Sequence, residues 1–519
     1  MNNVSRGKVA KATIVIAIIT IIAKVLGFAR EAVIAKEYGA TYIADAFLVV
    51  FNIPYMINGI LNSALVVVVV PVFIQYLING KNEEARRVFS TVFIVFMSIL
   101  ACFIIVSVWK SNYIINIFAP GFDKETSELA SNLALIIFPS ILFFALANFF
   151  TGLLNTHSIF APSALAPVIL NLVIIGAAFT IGQSLGVHGL ALGVLLGTII
   201  MALIQVPFLK RSSFKFRAVL DFKDEGIRKV FGLMFPILIG CGVMQINILI
   251  YYYLGSGLVE GTISALNYAT KLILLPQGIF VLAVATAIFP SLSRSVANNE
   301  REQFSHTLVK GTKMVFLLSA PAVVGLMVLR EPIVAMLFKR GAFDERALAL
   351  TTGVLLFLSF GLIGQCLSPV LTRGFYALQD TLTPVKVTVL TVAINGVISL
   401  LLVNRMEHLG LALANSVAMT LNVFLLYLML RKHITRLVSR GLLGFFFKVI
   451  TASVIMGLAV YTADNILVNV VSSLSLRVLI DITMGGIVYF AIGFILKTDE
   501  LYYVLDLVKG ISINKKDRN

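Results

Sequence analysis

The stretch that decides the fold occurs twice, as Phe118-Ala-Pro-Gly-Phe-Asp123 and as Phe338-Lys-Arg-Gly-Ala-Phe-Asp344. Three more pairs of similar segments keep the same order along the chain, and the members of each pair lie about 215–224 residues apart. These pairs are Leu154 to Pro162 with Leu378 to Pro384, Gly189 to Leu192 with Gly410 to Leu413, and Pro71 to Ser90 with Pro290 to Ser305. Four matches at one offset indicate an internal duplication.

Long apolar stretches separate these motifs. The 519 residues are 59% hydrophobic and only 13% charged, whereas a soluble chain carries about 25% charge. A spanning helix needs about 20 apolar residues, so we predict an all-α polytopic membrane protein. The fourteen predicted helices are 13–36, 43–78, 88–109, 128–155, 159–181, 187–209, 226–254, 263–294, 311–338, 347–377, 383–403, 409–430, 443–463 and 475–496.

The duplication spans six predicted helices, which is an even number. The two copies then have the same topology in the membrane and are related by an axis along the membrane normal. We therefore predict a six-helix lobe over 1–222, a second one over 223–437, and two extra helices with a basic tail over 438–519.

The formal net charge is +16. Nucleic-acid binding would explain it, but no basic region is long enough to fold as a separate domain. Positively charged cytoplasmic loops explain it better. With the N-terminus inside, most basic loops and the basic tail face the cytoplasm, and the exception is Lys339/Arg340/Arg346. The first apolar stretch resembles a signal peptide, but no small-residue cleavage site follows, so we interpret it as a spanning helix.

Ionisable groups at membrane depth are costly and tend to face protein or water-filled cavities. Lys24, Arg30 and Lys271 place positive charge where the two lobes would face each other, which favours an anionic substrate such as a phosphate. The alternative for these cations is snorkelling to the membrane surface. Asp45 could join Lys24 or Arg30 in a cavity network, or act as a capping or first-turn acid. Glu31 shares a helix face with Lys24.

Pro54 and Pro276 occupy matching places in the two halves. We predict that each interrupts a long helix, because proline removes a backbone donor. Matching breaks point to a midplane site between the halves. An ordinary proline kink without a ligand is the alternative.

Several of these segments resemble the MurJ/MviN family of lipid II flippases. The segments are Ala23 to Glu31, Gly39 to Phe47, Asn267 to Pro276, Phe289 to Arg294, Arg340 to Asp344 and Phe375 to Pro384. The resemblance implies the MOP-type exporter fold, also found in MATE transporters, with two lobes around a central cavity and alternating access. Arg30 and Asp45 match family positions that matter for transport, and Lys24 and Lys271 stand at family positions for a cation. We predict that these four residues bind the substrate, with Glu31, Asn58 and Asp380 in supporting positions. The last two helices would form a groove for a polyprenyl tail.

The sequence departs from that family at several charged positions. Lysine stands at Lys24 and Lys271 where the family has arginine, and Thr270 replaces an acid. Asn58 and Gly59 stand where an arginine pair is common, Ser63 where a glutamate is, and Tyr251 where many members have an aspartate. With fewer charges, the cavity would bind pyrophosphate less tightly or take a different head group, and the missing aspartate is one carboxylate fewer for sodium coupling.

The leading hypothesis is a flippase that moves undecaprenyl-pyrophosphate-linked lipid II between the leaflets of the bacterial cytoplasmic membrane. The alternatives are a flippase for another lipid-linked polysaccharide unit, a MATE-like small-molecule antiporter, and a membrane enzyme using Asp123 or Asp344. No P-loop, GxSxG or HExxH motif is present, so we predict no catalytic residue, metal or cofactor. An ion gradient or the membrane potential would supply energy. We expect a monomer among membrane lipids, and partners in cell-wall synthesis stay open.

Overall fold

The computed structural model describes residues 3–210, 219–221, 224–432, 440–498 and 500–501. The regular secondary structure in these ranges is helical. The α-helices are α1 Asn3–Tyr38, α2 Tyr42–Ala64, α3 Val70–Ile78, α4 Asn82–Trp109, α5 Ser111–Phe118, α6 Lys124–Ile137, α7 Ser140–Thr156, α8 Ala161–Phe179, α9 Ile181–Leu185, α10 Val187–Leu203, α11 Val206–Leu209, α12 Glu225–Gly255, α13 Thr262–Pro276, α14 Leu282–Ala297, α15 Arg301–Val328, α16 Arg330–Phe338, α17 Glu345–Ala377, α18 Leu382–Arg431, α19 Arg440–Leu467 and α20 Leu474–Ile495.

Within the described ranges, eleven helical stretches are long and apolar enough to cross a membrane. They confirm a multi-spanning helical protein, while the count of fourteen spans and the repeat stay predictions. The basic residues within 211–218 and 433–439, and those of the tail after residue 501, lie outside the described ranges.

The second predicted helix, 43–78, is interrupted by a π-helical turn at Leu65–Val69. The backbone N–H of Val70 reaches back to the Leu65 carbonyl, which widens the helix just before Pro71. A proline ring clashes with the carbonyl four residues earlier, so the wide turn makes room for it. Pro54 lies inside α2 without ending it, and the break predicted there is found at Leu65–Val69 instead.

The eighth predicted helix, 263–294, breaks where its proline predicts. Pro276 is the last residue of α13. A π-helical turn, Gln277–Val281, follows directly and leads into α14. The two proline-containing helices therefore both contain a π-helical turn, but the turns occupy different places relative to Pro54 and Pro276.

The chain forms two compact units. The first contains residues 1–264 and 340–343, and the second contains 265–339 and 344–519. α12 belongs to the first unit, where it packs against α2. Packing thus groups α12 with the first six predicted helices, whereas the predicted lobes, 1–222 and 223–437, follow the sequence repeat and stay a prediction.

Aromatic side chains fill the core of the first unit. The Phe149 ring of α7 lies 5.1 Å from Phe93 and 5.9 Å from Phe89, both on α4. Phe89 in turn contacts Phe73 of α3 at 5.3 Å. Aromatic pairs at these separations add to the energy of simple burial, so they fix α3, α4 and α7 as one block.

In the second unit, α17 packs between α15 and α18. Gly361 and Gly364 let α17 approach the backbone of α18 at Ser416 and Met419. Small residues of this kind bring helices close together in membranes. α19 and α20 pack on each other and on α15, so the two predicted extra helices are part of the second unit.

α18 changes direction at Glu407, whose φ of 50° and ψ of −130° are not helical. This separates the predicted helices 383–403 and 409–430. The same conformation occurs at Gly186, with φ 57° and ψ −138°, at the start of α10. Each residue lies three positions before a Gly-Leu-Ala-Leu motif. Glycine adopts this backbone region freely, whereas a residue with a Cβ is strained there.

We therefore expect Glu407→Gly to raise the free energy of unfolding by about 1 kcal/mol, because strain in such regions costs about 1–3 kcal/mol and glycine loses more entropy on folding. The measurement is thermal unfolding of the purified protein in detergent. Glu407→Ala is the matched control, since it removes the same carboxylate but keeps the Cβ. Equal effects of the two variants would refute the strain argument.

Candidate functional site

Arg30 is buried on α1 and has three partners. Its Nη1 donates to Asn171 Oδ1 at 3.0 Å, and its Nη2 donates to Glu31 Oε1 at 2.6 Å. The guanidinium lies 4.7 Å from the centroid of the Phe51 ring. Glu31 is also buried, with 1% of its surface exposed. A carboxylate at this depth needs an opposite charge, so in this conformation Arg30 neutralises Glu31.

Asn171 on α8 is the residue that holds Arg30 in place, and the sequence reasoning missed it. Its Nδ2 donates to the Ala23 carbonyl of α1 at 3.3 Å and to the Pro167 carbonyl at 2.9 Å. The sequence feature that could have indicated Asn171 is its side-chain amide, the only one among the apolar residues of α8. Lys24 lies on the exposed side of α1, so of the two predicted cations on this helix it is the accessible one.

Asp45 caps the first turn of α13. Its Oδ2 accepts from the backbone N–H of Gly261 at 2.8 Å. Its Oδ1 accepts from the backbone N–H of Ser264 at 2.7 Å and from the Ser264 hydroxyl at 2.6 Å. The side chain is 4% exposed. A carboxylate at a helix N-terminus satisfies unpaired N–H groups and the helix dipole.

In this structure Asp45 therefore caps α13 rather than its own α2. The hydrogen bonds of Asp45 go to Gly261 and Ser264, and a network with Lys24 or Arg30 stays a prediction. Sequence reasoning missed Ser264, although it lies 219 residues after Asp45, a separation typical of the repeat.

A second carboxylate caps α2 in return. The backbone N–H of Tyr42, the first residue of α2, donates to Glu260 Oε1 at 2.8 Å. Between the two caps lies Gly261, with φ +86°, where a Cβ would collide with the Ala40 carbonyl oxygen. Glu260, just before α13, thus caps the start of α2, and Asp45 of α2 caps the start of α13. The two helix starts meet at a close backbone contact that only glycine permits.

The repeated motifs pack beside these caps. In the second motif, the backbone N–H of Ala342 donates to the Lys36 carbonyl of α1 at 2.7 Å. In the first, the backbone N–H of Gly121 donates to Ser256 Oγ, just after α12, at 3.0 Å. Each motif therefore holds the end of the first helix of one predicted repeat.

The two motif acids are helix caps. Asp123 accepts from the Thr126 N–H at 3.2 Å at the start of α6, and Asp344 accepts from the Ala347 N–H at 2.8 Å at the start of α17. This local role accounts for both carboxylates without chemistry.

Asn58 and Asp380, which we predicted to support substrate binding, form hydrogen bonds that stabilise helices, and so does Ser63. Asn58 Oδ1 accepts from Asn148 Nδ2 of α7 at 2.8 Å. Asp380 accepts from the Thr383 N–H at 2.9 Å and so caps α18. Ser63 donates to the Gly59 carbonyl at 2.9 Å. Asn58 therefore braces α2 against α7, a contact that an arginine at this position could not make in the same way.

Lys271 is half-buried on α13, in the second unit. Tyr251 of α12 has its hydroxyl buried, without a hydrogen-bond partner among the described residues. A shared phosphate site for Lys24, Arg30 and Lys271 stays a prediction.

Comparisons with known proteins agree with a helical membrane transporter. The chain resembles a solved inward-facing multidrug resistance MATE transporter of the MOP superfamily, with TM-score 0.69 and 16% identity over 82% of this chain and 98% of that one. This shows the MOP fold.

A family model described as lipid II flippase MurJ matches residues 34–480, and the chain belongs to this family. It is 33% identical to a probable lipid II flippase MurJ of Haemophilus influenzae, covering 85% of this chain and 90% of that protein. It also matches a solved lipid II flippase MurJ in an inward closed conformation, with TM-score 0.81 and 26% identity over 94% of this chain and 99% of that one.

Proposed function

We propose that this protein moves lipid II from the inner to the outer leaflet of the bacterial cytoplasmic membrane. The observation that carries the proposal is the family match over residues 34–480, which includes the Asp45 cap and Lys271. Lys24 and Arg30 precede this match, and their proposed roles rest on their positions on α1.

Both termini would face the cytoplasm, because positive residues favour that side. α2 and α13 then begin at the outer surface, where Asp45 and Glu260 cap them. We propose that these caps close the outer end of the pathway, and that transport requires them to break and reform. Charge-assisted hydrogen bonds suit such a contact because they are directional and each contributes about 1.5–3 kcal/mol, which is enough to hold the closed end in place.

Lys24, Arg30 and Lys271 would bind the pyrophosphate of the substrate while its lipid tail stays in the membrane. Lys24 is exposed and binds as a point charge. Arg30 would have to exchange Glu31 or Asn171 for phosphate oxygens. An ion gradient or the membrane potential would drive the cycle, because charge crosses the membrane with the substrate.

A rescue experiment tests the proposal. The gene is expressed in cells depleted of their own lipid II flippase, and growth and lipid II accessibility at the outer surface are measured. We expect the wild type and Asp344→Ala to restore both, because Asp344 only caps α17, and Lys271→Ala to reduce both at least tenfold.

Failure of a well-expressed wild type to rescue would contradict lipid II as the cargo and favour another lipid-linked glycan. The family charges missing at Asn58, Gly59 and Ser63 are the reason to keep that alternative in the test. Full activity of Lys271→Ala would instead contradict the cationic binding mechanism while leaving the cargo intact.

A further inference from the structure

Three charged side chains lie together where α19 ends and α20 begins. Arg477 of α20 has its Nε 3.0 Å from Asp464 Oδ1 of α19. Asp481 lies two turns into α20, about 10 Å from the start of the helix at 1.5 Å per residue. The cluster is separate from the proposed substrate residues and has no part in the mechanism above.

Asp481 is fully buried, with 0% of its surface exposed. Neither of its carboxyl oxygens has a hydrogen-bond donor among the described residues. The carboxyl group of Asp464 lies next to that of Asp481. Two carboxylates cannot donate to each other, so the contact lacks a hydrogen unless one of them is protonated.

The net charge of the cluster decides which protonation state of the two carboxyl groups is stable in the membrane. Two carboxylates and one guanidinium leave one negative charge without compensation at membrane depth. An unpaired buried charge is unfavourable there. One proton makes the cluster neutral and also supplies the missing donor between the two carboxyl groups.

The other helices that contact α20 do not change this balance. α16 begins with Arg330, whose Nη1 donates to the Met327 carbonyl at 2.6 Å, and with Glu331, which is exposed. The charged residues of α15 lie in its first half, where Lys313 pairs with Glu500 at 2.6 Å.

We propose that Asp464 and Asp481 bind one proton between their carboxyl groups, with Arg477 balancing the remaining negative charge. Paired carboxyl groups that share a proton are a known arrangement, because two like charges at contact cannot both ionise. The pairing of α19 with α20 then depends on this proton, whatever the cargo of the protein.

Infrared spectroscopy of the full-length protein in lipid nanodiscs tests the site without transport. We expect a band from one protonated carboxylic acid in the wild type at neutral pH. Asp481→Asn and Asp464→Asn should both lose it, since the remaining acid pairs with Arg477 as a carboxylate. Asp123→Asn, which changes an exposed helix cap, should retain it.

Two results would overturn the proposal. The first is an unchanged band in Asp481→Asn, which would place the protonated acid elsewhere. The second is an unchanged band in Asp464→Asn, which would make Asp481 merely a buried acid. Thermal unfolding at several pH values is an independent measurement. The wild type should lose stability at alkaline pH, because the shared proton dissociates. Asp481→Asn should lose less, because its amide is neutral at every pH. An equal loss in both proteins would also refute the shared proton.

Discussion

Asp45→Ala is expected to abolish rescue of flippase-depleted cells and to lower the free energy of unfolding by about 3 kcal/mol. The substitution leaves the N–H groups of Gly261 and Ser264 and the Ser264 hydroxyl without their acceptor. Buried donors left unpaired cost about 1–3 kcal/mol each, and part of this is recovered when water enters. Growth rescue and thermal unfolding in detergent are the measurements.

Matched variants separate the cap from general damage at this site. Ser264→Ala removes only the hydroxyl and should cost about 1 kcal/mol, with rescue retained. Asp45→Asn keeps one acceptor oxygen but loses the charge that favours a helix N-terminus, so its effect should be intermediate. If Asp45→Asn matched the wild type in both assays, the charge of the cap would have no role in transport.

Arg30→Gln should be the second severe substitution. It removes the guanidinium that pairs with the buried Glu31, and breaking a buried ion pair costs about 3–5 kcal/mol. The guanidinium contact with the Phe51 ring is lost as well. We expect low levels of folded protein and no rescue, measured by size-exclusion chromatography and by growth.

Removing Glu31 at the same time distinguishes two roles of Arg30. The double variant Arg30→Gln/Glu31→Gln removes both members of the ion pair, so folding should recover. If Arg30 also binds the pyrophosphate, rescue stays absent although the protein folds. If the double variant folds and rescues growth fully, Arg30 serves only as the partner of Glu31, and its proposed substrate role is wrong.

Much of the fold could be predicted because a membrane-spanning helix is recognisable from the apolar composition of its own segment. The predicted span 187–209 coincides with Val187–Leu209, and 475–496 differs by one residue at each end from Leu474–Ile495. The turn at Leu65–Val69 could not be predicted in the same way. Proline marks a disturbed helix, but whether Pro54 or Pro71 causes the break depends on neighbouring helices that fill or leave the space around it.

The candidate site was predictable in residue type but not in contacts. Buried charge marked Arg30 and Asp45 as important, since such residues are rare in membranes. Their partners, Asn171 and Ser264, are ordinary polar residues far away in the chain. Only the packed structure brings them together, and it places the Asp45 carboxylate at the start of α13.

The first compact unit includes Arg340–Phe343, although the residues directly before and after this segment in the chain belong to the second unit. The turn after α1 rests against this segment, and the Lys36 carbonyl receives the Ala342 N–H at 2.7 Å. The two residues are about 300 positions apart in the chain, and ribosomes add about 5–20 residues per second. For tens of seconds during synthesis, the N-terminal unit therefore exists in the membrane unfinished, and its last piece arrives only after the second unit has begun to insert.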